Sequence, residues 1–381
     1  MNPGHDETTA SPAGSWNLGE PILSIQYDAR NDCLYALGRT SLYRKDRNGQ
    51  DFRKVLVIAT PESGAPKREC YSFCSSGDTI FATLIGVDAR VINAAWVGDA
   101  SQPASGRLET RFSGLMTMFA QSEHNACFDD QGTLYIASPE TVLYSTDKGR
   151  TYRPHAYINQ EFGKLKGPRP QARIQNIKAA FPGRTSAFIG TTLGALCCYE
   201  GDDTADTIAY YNPAVTSTVN YAYDAQFDHL VSWLYLSPQA PQALYSVNIR
   251  MLQAHNDDPK FTLGPGSLVN APQYAVDPDI TAIAVSSTTS YTGPNFYLAV
   301  RPLGGPARQD EPSSDSALRQ VLFFSRQEPL EPGIETGDGF PARLAPLPVR
   351  CMHQYAAQLY IGTDSGILQY QETDIMPSFP A

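Results

Sequence analysis

The sequence has little of what membrane insertion, export or binding to anionic polymers requires. Among its 381 residues there is no apolar run of 18, so no transmembrane helix is expected. Residues 1–7 carry neither a basic segment nor an apolar core, which predicts a protein made in the cytoplasm without a signal peptide. Charged residues make up only 18% of the chain, and the formal net charge is −10. This balance argues against a general binder of nucleic acids or anionic membranes, since either needs a basic surface.

Catalytic and metal-binding signatures are also missing. The sequence contains no nucleophile elbow, zinc-protease helix motif, phosphate-binding loop, dinucleotide fingerprint or EF-hand loop. Its seven cysteines are an odd number, several stand inside apolar runs, and none has partners at zinc-site spacing. We therefore expect buried thiols, no metal and no cofactor. The histidines are scattered, and each is expected to be a surface or core residue: His5, His124, His155, His229, His255 and His353.

What the sequence does contain is a short apolar phrase, of the type x-Leu-Tyr-Ile-Gly, that recurs seven times. Runs rich in β-branched and aromatic residues flank each copy and end at Gly, Asp, Asn or Pro, as strands do. A period of about fifty residues means radial or solenoid repetition, because one such unit cannot bury its own apolar face. No stretch of a dozen residues has helical apolar spacing, so few helices are expected. The central positions of the phrase are Tyr35, Phe81, Tyr135, Phe188, Val231, Tyr297 and Tyr360.

These repeats predict an all-β fold, a seven-bladed β-propeller with four-stranded antiparallel blades and long loop insertions. Two or three consecutive β-sandwich domains are the alternative, which the recurrence of the phrase along the whole chain disfavours. The expected organisation is an N-terminal tail (1–15), a single propeller domain (16–374) and a C-terminal tail (375–381). Because a propeller must hide its strand edges, Trp16–Ile22 is expected to close the last blade. The blades are expected near residues 22–57, 70–97, 116–152, 174–200, 219–249, 280–327 and 348–371.

One local motif is specific. Directly after an apolar strand, the chain reads S-x-D-x-G-x-T-aromatic, with Ser145, Asp147, Gly149, Thr151 and Tyr152 at the defining positions. The aspartate can accept backbone N–H groups of the turn, and the glycine can supply a positive φ. The motif resembles the Asp-box of sialidase-like, BNR-repeat β-propellers. In that family the box is structural, so the resemblance implies that these residues serve the fold.

A decayed copy of the motif stands in the first repeat, where Asp46, Gly49 and Phe52 are kept. The resemblance does not extend to sialidase catalysis, which uses an arginine triad, a Tyr–Glu nucleophile pair and an acidic Asp. The first of those arginines stands in an Arg-Ile-Pro motif near the N-terminus. Here residues 20–22 read Glu-Pro-Ile, and Arg173-Ile174 lies mid-chain. We therefore expect no enzyme activity, with a glycan-binding or sialidase-like glycoside-processing propeller as the alternative.

Four segments are too long for hairpin turns: 97–115, 153–173, 250–279 and 302–319. The last is rich in Pro, Gly, Ser and acidic residues, so it is expected to be mobile alone or ordered by a partner. The second, with the turn before it, concentrates cations on an acidic protein. It is either a solvated loop or a docking site for an acidic protein surface or phosphates. This candidate basic docking patch comprises Lys148, Arg150, Arg153, Lys164, Lys166, Arg169 and Arg173.

A propeller made in the cytoplasm, without catalytic motifs and with long loops, fits a component of an assembly. In fold, size and pattern the chain resembles the propeller-fold nozzle or hub proteins of short-tailed bacteriophages, which close the DNA channel below the portal and adaptor rings. The resemblance implies a structural virion protein of the viral tail that forms a homo-oligomeric ring. Its partners would be other protein subunits, such as portal or adaptor rings. An acidic chain suits a conduit that DNA crosses with at most transient contact.

Overall fold

The computed structural model describes most of the chain between residues 9 and 377. The predicted insertion 250–279, nearly all of 302–319, and Arg169 of the predicted basic patch lie outside the described residues. The described residues are 9–28, 31–57, 68–77, 79–86, 90–97, 107–115, 126–129, 131–167, 170–171, 173–179, 186–191, 194–200, 205–210, 215–224, 229–236, 243–248, 280–290, 293–300, 318–326 and 337–377.

The chain divides into two compact units: a central unit, Gln26–Gly266, and a terminal unit, Met1–Ile25 together with Ser267–Ala381. The described strands form seven antiparallel sheets, six with four strands and one with three. We number the sheets in chain order. The boundary between the units falls within the first strand of sheet 1.

Sheet 1 contains β2 (Ile22–Asp28), β3 (Cys33–Gly38), β4 (Ser41–Asp46) and β5 (Arg53–Val57), and sheet 2 contains β6 (Arg68–Ser76), β7 (Thr79–Gly86), β8 (Arg90–Val97) and β9 (Arg107–Leu115). Sheet 3 contains β10 (Ala126–Phe128), β11 (Leu134–Ala137), β12 (Val142–Ser145) and β13 (Arg153–Pro154), and sheet 4 contains β14 (Ile174–Ala179), β15 (Ser186–Thr191), β16 (Gly194–Glu200) and β17 (Ala205–Tyr210). Sheet 5 contains β18 (Val215–Asp224), β19 (His229–Leu236) and β20 (Ala243–Asn248). Sheets 6 and 7, in the terminal unit, consist of β21 (Ile280–Ser290), β22 (Gly293–Val300), β23 (Gln320–Arg326) and β24 (Gly337–Pro341); β25 (Cys351–Tyr355), β26 (Gln358–Gly362), β27 (Gly366–Gln371) and the N-terminal β1 (Gly14–Asn17). The described helices are α1 (Ala156–Lys166) and α2 (Glu372–Ile375).

The strand that carries the repeated phrase is the second of its sheet in chain order, apart from the added β1, and where its side chains are described it is enclosed in the core. In sheets 1 and 3, every residue of β3 and of β11 is buried. A strand covered on both faces has a continuous apolar sequence instead of an alternating one. This is why the phrase stands out so clearly from the rest of the chain. Its tyrosines are at most 1% exposed: Tyr35, Tyr135, Tyr297 and Tyr360.

Neighbouring sheets pack face to face through shared apolar clusters. Cys74 and Phe81 of sheet 2 join Leu134 and Ile136 of sheet 3 in one cluster. A second cluster brings together sheet 3, α1 and sheet 4, and a third joins sheets 6 and 7 with α2. In these three places a sheet buries a face against the next one along the chain, because a single small sheet cannot form a core alone.

Backbone hydrogen bonds also link consecutive sheets in a recurring way. The Ile174 amide, at the start of sheet 4, donates to the Pro139 carbonyl in the β11–β12 turn of sheet 3 at 2.9 Å. Arg319, in front of β23 of sheet 6, exchanges two backbone hydrogen bonds of 2.8 and 3.0 Å with Leu347, which precedes sheet 7. In both places, the segment entering a sheet is held by the middle turn of the sheet before it.

The N-terminal strand completes sheet 7. Trp16 of β1 pairs with Ile367 of β27, which confirms the predicted pairing of the N-terminal segment with the last repeat. The strand is shorter than predicted, because the chain leaves it after Asn17. Ile22 then begins β2 and donates its amide to the Thr363 carbonyl in the middle turn of sheet 7, at 3.0 Å.

The outer strands differ most from the predicted boundaries. β9, β17 and β24 lie beyond the predicted blade ends at residues 97, 200 and 327. β9 also occupies about half of what looked like an insertion, 97–115. An outer strand has one neighbour and needs little apolar surface, so sequences such as Gly337–Pro341 resemble loops.

Candidate functional site: the turn after β12 and helix α1

The turn between β12 and β13 is organised by one carboxylate. Asp147 Oδ1 accepts the backbone amides of Arg150 at 3.0 Å and Thr151 at 2.8 Å. The Ser145 hydroxyl donates to the same oxygen at 2.8 Å and accepts the Gly149 amide at 2.8 Å. The Thr151 hydroxyl donates to Asp147 Oδ2 at 2.7 Å. The acid and both hydroxyls of the motif therefore close one hydrogen-bonded ring around the turn.

Packing against the core also fixes this turn. Gly149 has φ +81°, a conformation that favours glycine, and it is buried. A Cβ at this position would lie 2.8 Å from the Tyr152 hydroxyl and 3.2 Å from the Phe81 ring. Tyr152 itself packs against the cluster between sheets 2 and 3. The turn is therefore anchored in the core while its charged side chains stay at the surface.

The hydrogen bonds explain the electrostatics of Asp147. Donation by the Thr151 hydroxyl and amide, with further donors from Ser145 and Arg150, holds the pKa of the Asp147 carboxyl well below its ordinary value of 3.8. The group is ionised at neutral pH, and its oxygens are occupied by the turn. It serves as a structural acceptor.

The related segment in sheet 1 uses its aspartate differently. Asp46 accepts Arg44 Nε at 2.7 Å and Arg53 Nη2 at 2.8 Å, so its carboxylate binds two cations. The Gly49 amide donates to the Asp46 carbonyl at 2.9 Å. Phe52 is buried at the position where sheet 3 has the partly buried Tyr152. The position of the turn and the buried aromatic are common to both sheets, and the carboxylate-to-amide ring is particular to sheet 3.

Five side chains of the predicted basic patch are described, and they lie at two opposite ends of sheet 3. Lys148 and Arg150 are exposed in the β12–β13 turn, and exposed Arg153 pairs with Tyr144 close to that turn. We call these three residues the cationic edge. Lys166 and Arg173 contact Glu140, which lies in the β11–β12 turn at the other end of the same strands. Antiparallel strands place successive turns at opposite ends, so the five cations whose side chains the structure describes do not form one surface.

At the far end, the cations are neutralised internally. Lys166 Nζ and Arg173 Nε, the latter at 2.9 Å, both contact the Glu140 carboxylate. Arg173 Nη1 also donates to the Pro170 carbonyl at 2.8 Å. The hydrogen bond from Lys166, followed by the charges of Lys166 and Arg173, lowers the pKa of Glu140. Lys166 and Arg173 therefore stabilise the link between sheets 3 and 4.

Helix α1 replaces most of the long loop expected over 153–173. Ile158 and Phe162, each 2% exposed, bury one side of it between sheets 3 and 4. Asn159 binds the Val142 backbone twice, accepting its amide at 2.8 Å and donating to its carbonyl at 3.0 Å. Lys164 lies within this helix. With eleven residues and two described buried apolar positions, α1 is too short to show a clear helical period in the sequence.

A second polar site, which the sequence did not reveal, lies in the terminal unit around Glu372. This carboxylate is 1% exposed, and it accepts the Ser286 hydroxyl at 2.7 Å and the Ser287 amide at 3.1 Å. The Ser287 hydroxyl and Gln354 Nε2 donate to it as well. Burial, reinforced by the charge of Glu372, raises the pKa of nearby Tyr297 far above its usual range. Glu372 ties α2 to β21.

The described thiols and metal-binding residue types show no reactive arrangement. Cys33, Cys74 and Cys127 are buried free thiols, and burial raises the pKa of Cys33 to about 11. Within the described parts of the chain, no three His, Cys, Asp or Glu side chains come together as metal ligands would. Among the same residues, no helix is long and apolar enough to cross a membrane.

Comparison with known proteins identifies the fold. No family model matches the chain, and no curated protein matches it in sequence. Among solved structures, the β-propeller domain of Cps50 (Swd1) from Myceliophteria thermophila aligns with a TM-score of 0.55 and 12% identity, covering 94% of this chain and 99% of that chain. Drosophila semaphorin 2a aligns at 0.52 and 10% identity, over 96% and 76% of the two chains. Drosophila plexin A in complex with semaphorin 1b aligns at 0.51 and 10%, over 96% and 88%. At such identities the likeness shows the fold alone, a β-propeller.

Proposed function

We propose that this protein is a non-catalytic β-propeller scaffold that binds other proteins. The observation that carries the proposal is the cationic edge, Lys148, Arg150 and Arg153, exposed beside a turn that Asp147 and the core hold in one conformation. A fixed turn loses little conformational entropy when a partner binds, and rim charges steer association. The partner surface that fits this edge is acidic.

Within this proposal, the seven sheets are the seven blades of one propeller. Support comes from the N-terminal strand in sheet 7 and from the Ile22–Thr363 hydrogen bond, which repeats the link between sheets 3 and 4. Pairing the two ends of the chain in one blade is a usual way of protecting the edges of a propeller.

The more specific role we propose is that of a bacteriophage tail component, a nozzle or hub subunit in a homo-oligomeric ring that closes the DNA channel. Its support is the fold, the chain length and the acidic balance of −10, which suits a wall that DNA slides past. Portal-type or adaptor-type ring proteins would be its neighbours. A glycan-binding or sialidase-like propeller is the second candidate, favoured by the Asp-box-like ring of hydrogen bonds at Asp147.

Assembly experiments separate these candidates. A variant with Lys148, Arg150 and Arg153 all changed to Gln should remain folded but no longer assemble into a ring with candidate ring proteins. Sedimentation and negative-stain images of the mixtures measure this assembly. The matched control changes Lys166 and Arg173 to Gln, which removes the same type of charge where Glu140 already neutralises it, and it should assemble normally.

The segment 303–317 provides an independent test. Replacing it with a Gly-Ser turn should leave the fold intact, since loop length changes closure entropy only modestly. We expect this variant to assemble weakly or not at all. Normal assembly of both this variant and the cationic-edge variant, or turnover of chromogenic glycosides by the wild type, would contradict the scaffold proposal and favour the glycan-processing one.

A further inference from the structure

The N-terminus of α1 is capped by a histidine. His155 Nδ1 accepts the backbone amide of Ile158 at 3.3 Å, and the His155 carbonyl accepts the amide of Asn159 at 3.0 Å. The usual capping residues are Ser, Thr, Asp and Asn, whose oxygens remain acceptors throughout the neutral pH range. An imidazole nitrogen accepts a hydrogen bond only while it carries no proton. The cap therefore requires neutral His155 with its hydrogen on Nε2.

Aromatic side chains enclose the His155 ring. His155 is 8% exposed and lies between two aromatic rings, Tyr135 at 5.9 Å and Tyr144 at 5.4 Å between centroids. Behind Tyr135, the Asp129 carboxylate accepts the Tyr135 hydroxyl at 3.4 Å and the Thr133 amide at 2.7 Å. The aromatic faces on β11 and β12 offer an imidazolium some compensation, and they do not restore the lost acceptor.

The described charges on this part of sheet 3 and α1 are of both signs. Arg153 lies two residues before His155, on β13, and is exposed. Glu140, Lys166 and Arg173 form their cluster at the end of sheet 3 where α1 begins, and together they carry one net positive charge. The first helical turn is also the positive end of the helix dipole.

We propose that His155 is a pH-sensitive cap, which holds the first turn of α1 at neutral pH and releases it when the imidazole is protonated. The structure gives that release a consequence beyond the helix. The same first turn contains Asn159, whose side chain hydrogen-bonds to the Val142 backbone, and Ile158, which is buried between sheets 3 and 4. Loosening it weakens the contact between sheets 3 and 4 next to the Ile174–Pro139 link. The proposal is independent of the scaffold function.

Hydrogen–deuterium exchange of peptides covering residues 155–167 tests the device in the intact chain. His155→Asn provides the matched control, because its side-chain oxygen can cap the helix and does not titrate between pH 5 and 8. After correction for intrinsic exchange, the two proteins should have similar protection of α1 at pH 7.5. At pH 5.5 the wild type should lose roughly fivefold or more in protection relative to the variant, as expected for loss of one cap. The other five histidines are present in both proteins and cancel.

Equal loss of protection in wild type and His155→Asn on acidification would overturn the proposal. A second measurement covers the case in which the variant does not fold. Long-range ¹H–¹⁵N correlation spectra of the wild type at pH 7.5 report the tautomer of each histidine. For His155 they should show neutral imidazole with the hydrogen on Nε2 and a bare Nδ1. A hydrogen on Nδ1 at that pH is incompatible with the cap and rejects the proposal.

Discussion

The backbone of Trp16 crosses Gly366 so closely that the Trp16 carbonyl oxygen occupies the space a Cβ on residue 366 would need. The approach is a consequence of pairing β1 with β27, because Gly366 lies opposite Asn17 in that ladder. The Leu18 and Gly19 amides then bond to the Ser365 carbonyl at 2.9 and 3.0 Å. Gly366 is therefore required by a close backbone contact at the point where the N-terminal segment leaves the sheet.

Gly366→Ala is expected to lower the free energy of unfolding by roughly 1–3 kcal/mol, because the added methyl group must displace backbone. Urea unfolding followed by fluorescence measures it. Gly163→Ala is the matched control: it lies in α1, where the added Cβ meets nothing within 4 Å apart from the adjacent helix backbone, and it should stabilise by about 0.5–1 kcal/mol. If Gly366→Ala is as harmless as Gly163→Ala, β1 is not held against β27 as described.

Asp147→Asn tests the hydrogen-bonded turn. The substitution should lower the free energy of unfolding by about 1 kcal/mol at pH 7. The loss is modest because the Arg150 and Thr151 amides are exposed, so water can replace the carboxylate as their acceptor. The folded-state pKa of Asp147 lies below its ordinary value of 3.8, so its contribution is complete above that value and declines as the pH falls below it.

Chemical denaturation of the wild type and Asp147→Asn at pH 3, 5 and 7 measures this dependence. The difference between the two proteins should be equal at pH 5 and 7 and smaller at pH 3. A difference that grows on acidification has the wrong sign for a carboxyl with a depressed pKa, and it would show that the turn stabilises the protonated acid.

Glu140→Gln tests how much the ion pairs of Glu140 contribute to the free energy of unfolding. The Glu140 side chain is 51% exposed, so losing its contacts with Lys166 and Arg173 should cost less than about 1 kcal/mol and vanish near 1 M salt. Asp364→Asn is a useful comparison, since Asp364 and its partner Arg350 are only 29% and 15% exposed. We expect the Asp364 variant to lose more stability and to retain that loss in salt. Thermal melts at two salt concentrations decide between these outcomes, and a larger, salt-resistant loss for Glu140→Gln would contradict them.

How far the sequence predicted the fold depends on what each strand must bury. Tyr35, Tyr135 and Tyr360 lie on strands enclosed by the core, and a continuous apolar phrase is the sequence consequence of that enclosure. The repeat, the β class and the pairing of Trp16 with the last sheet could therefore be predicted. β24 could not, because an outer strand is specified mainly by backbone hydrogen bonds to β23, which leave little trace in side-chain identity.

The site was predicted where its contacts are local in sequence and missed where they are distant. Asp147 bonds to residues three and four positions away, so the motif itself contains the geometry. Glu372 and Ser286 are 86 residues apart, and nothing in either segment marks them as partners. The basic patch was predicted as one surface because its cations are close in sequence. In the structure, an antiparallel strand places the described cations at opposite ends of sheet 3.

Glu372→Ala should be among the most destabilising single substitutions in the terminal unit. The carboxylate is 1% exposed, and its loss leaves the Ser287 amide without its acceptor and removes one partner of the Ser286 hydroxyl. We expect a loss of roughly 2–4 kcal/mol, because hydrogen bonds to a buried charge are strong and unpaired buried donors are costly. Glu372→Gln keeps the shape and one acceptor oxygen, so it should lose less. Ser287→Ala, which removes one donor and leaves the acid bound by Ser286 and Gln354, should lose the least. Urea midpoints of the three variants measure this order, and a neutral Glu372→Ala would show that Glu372 does not tie α2 to β21.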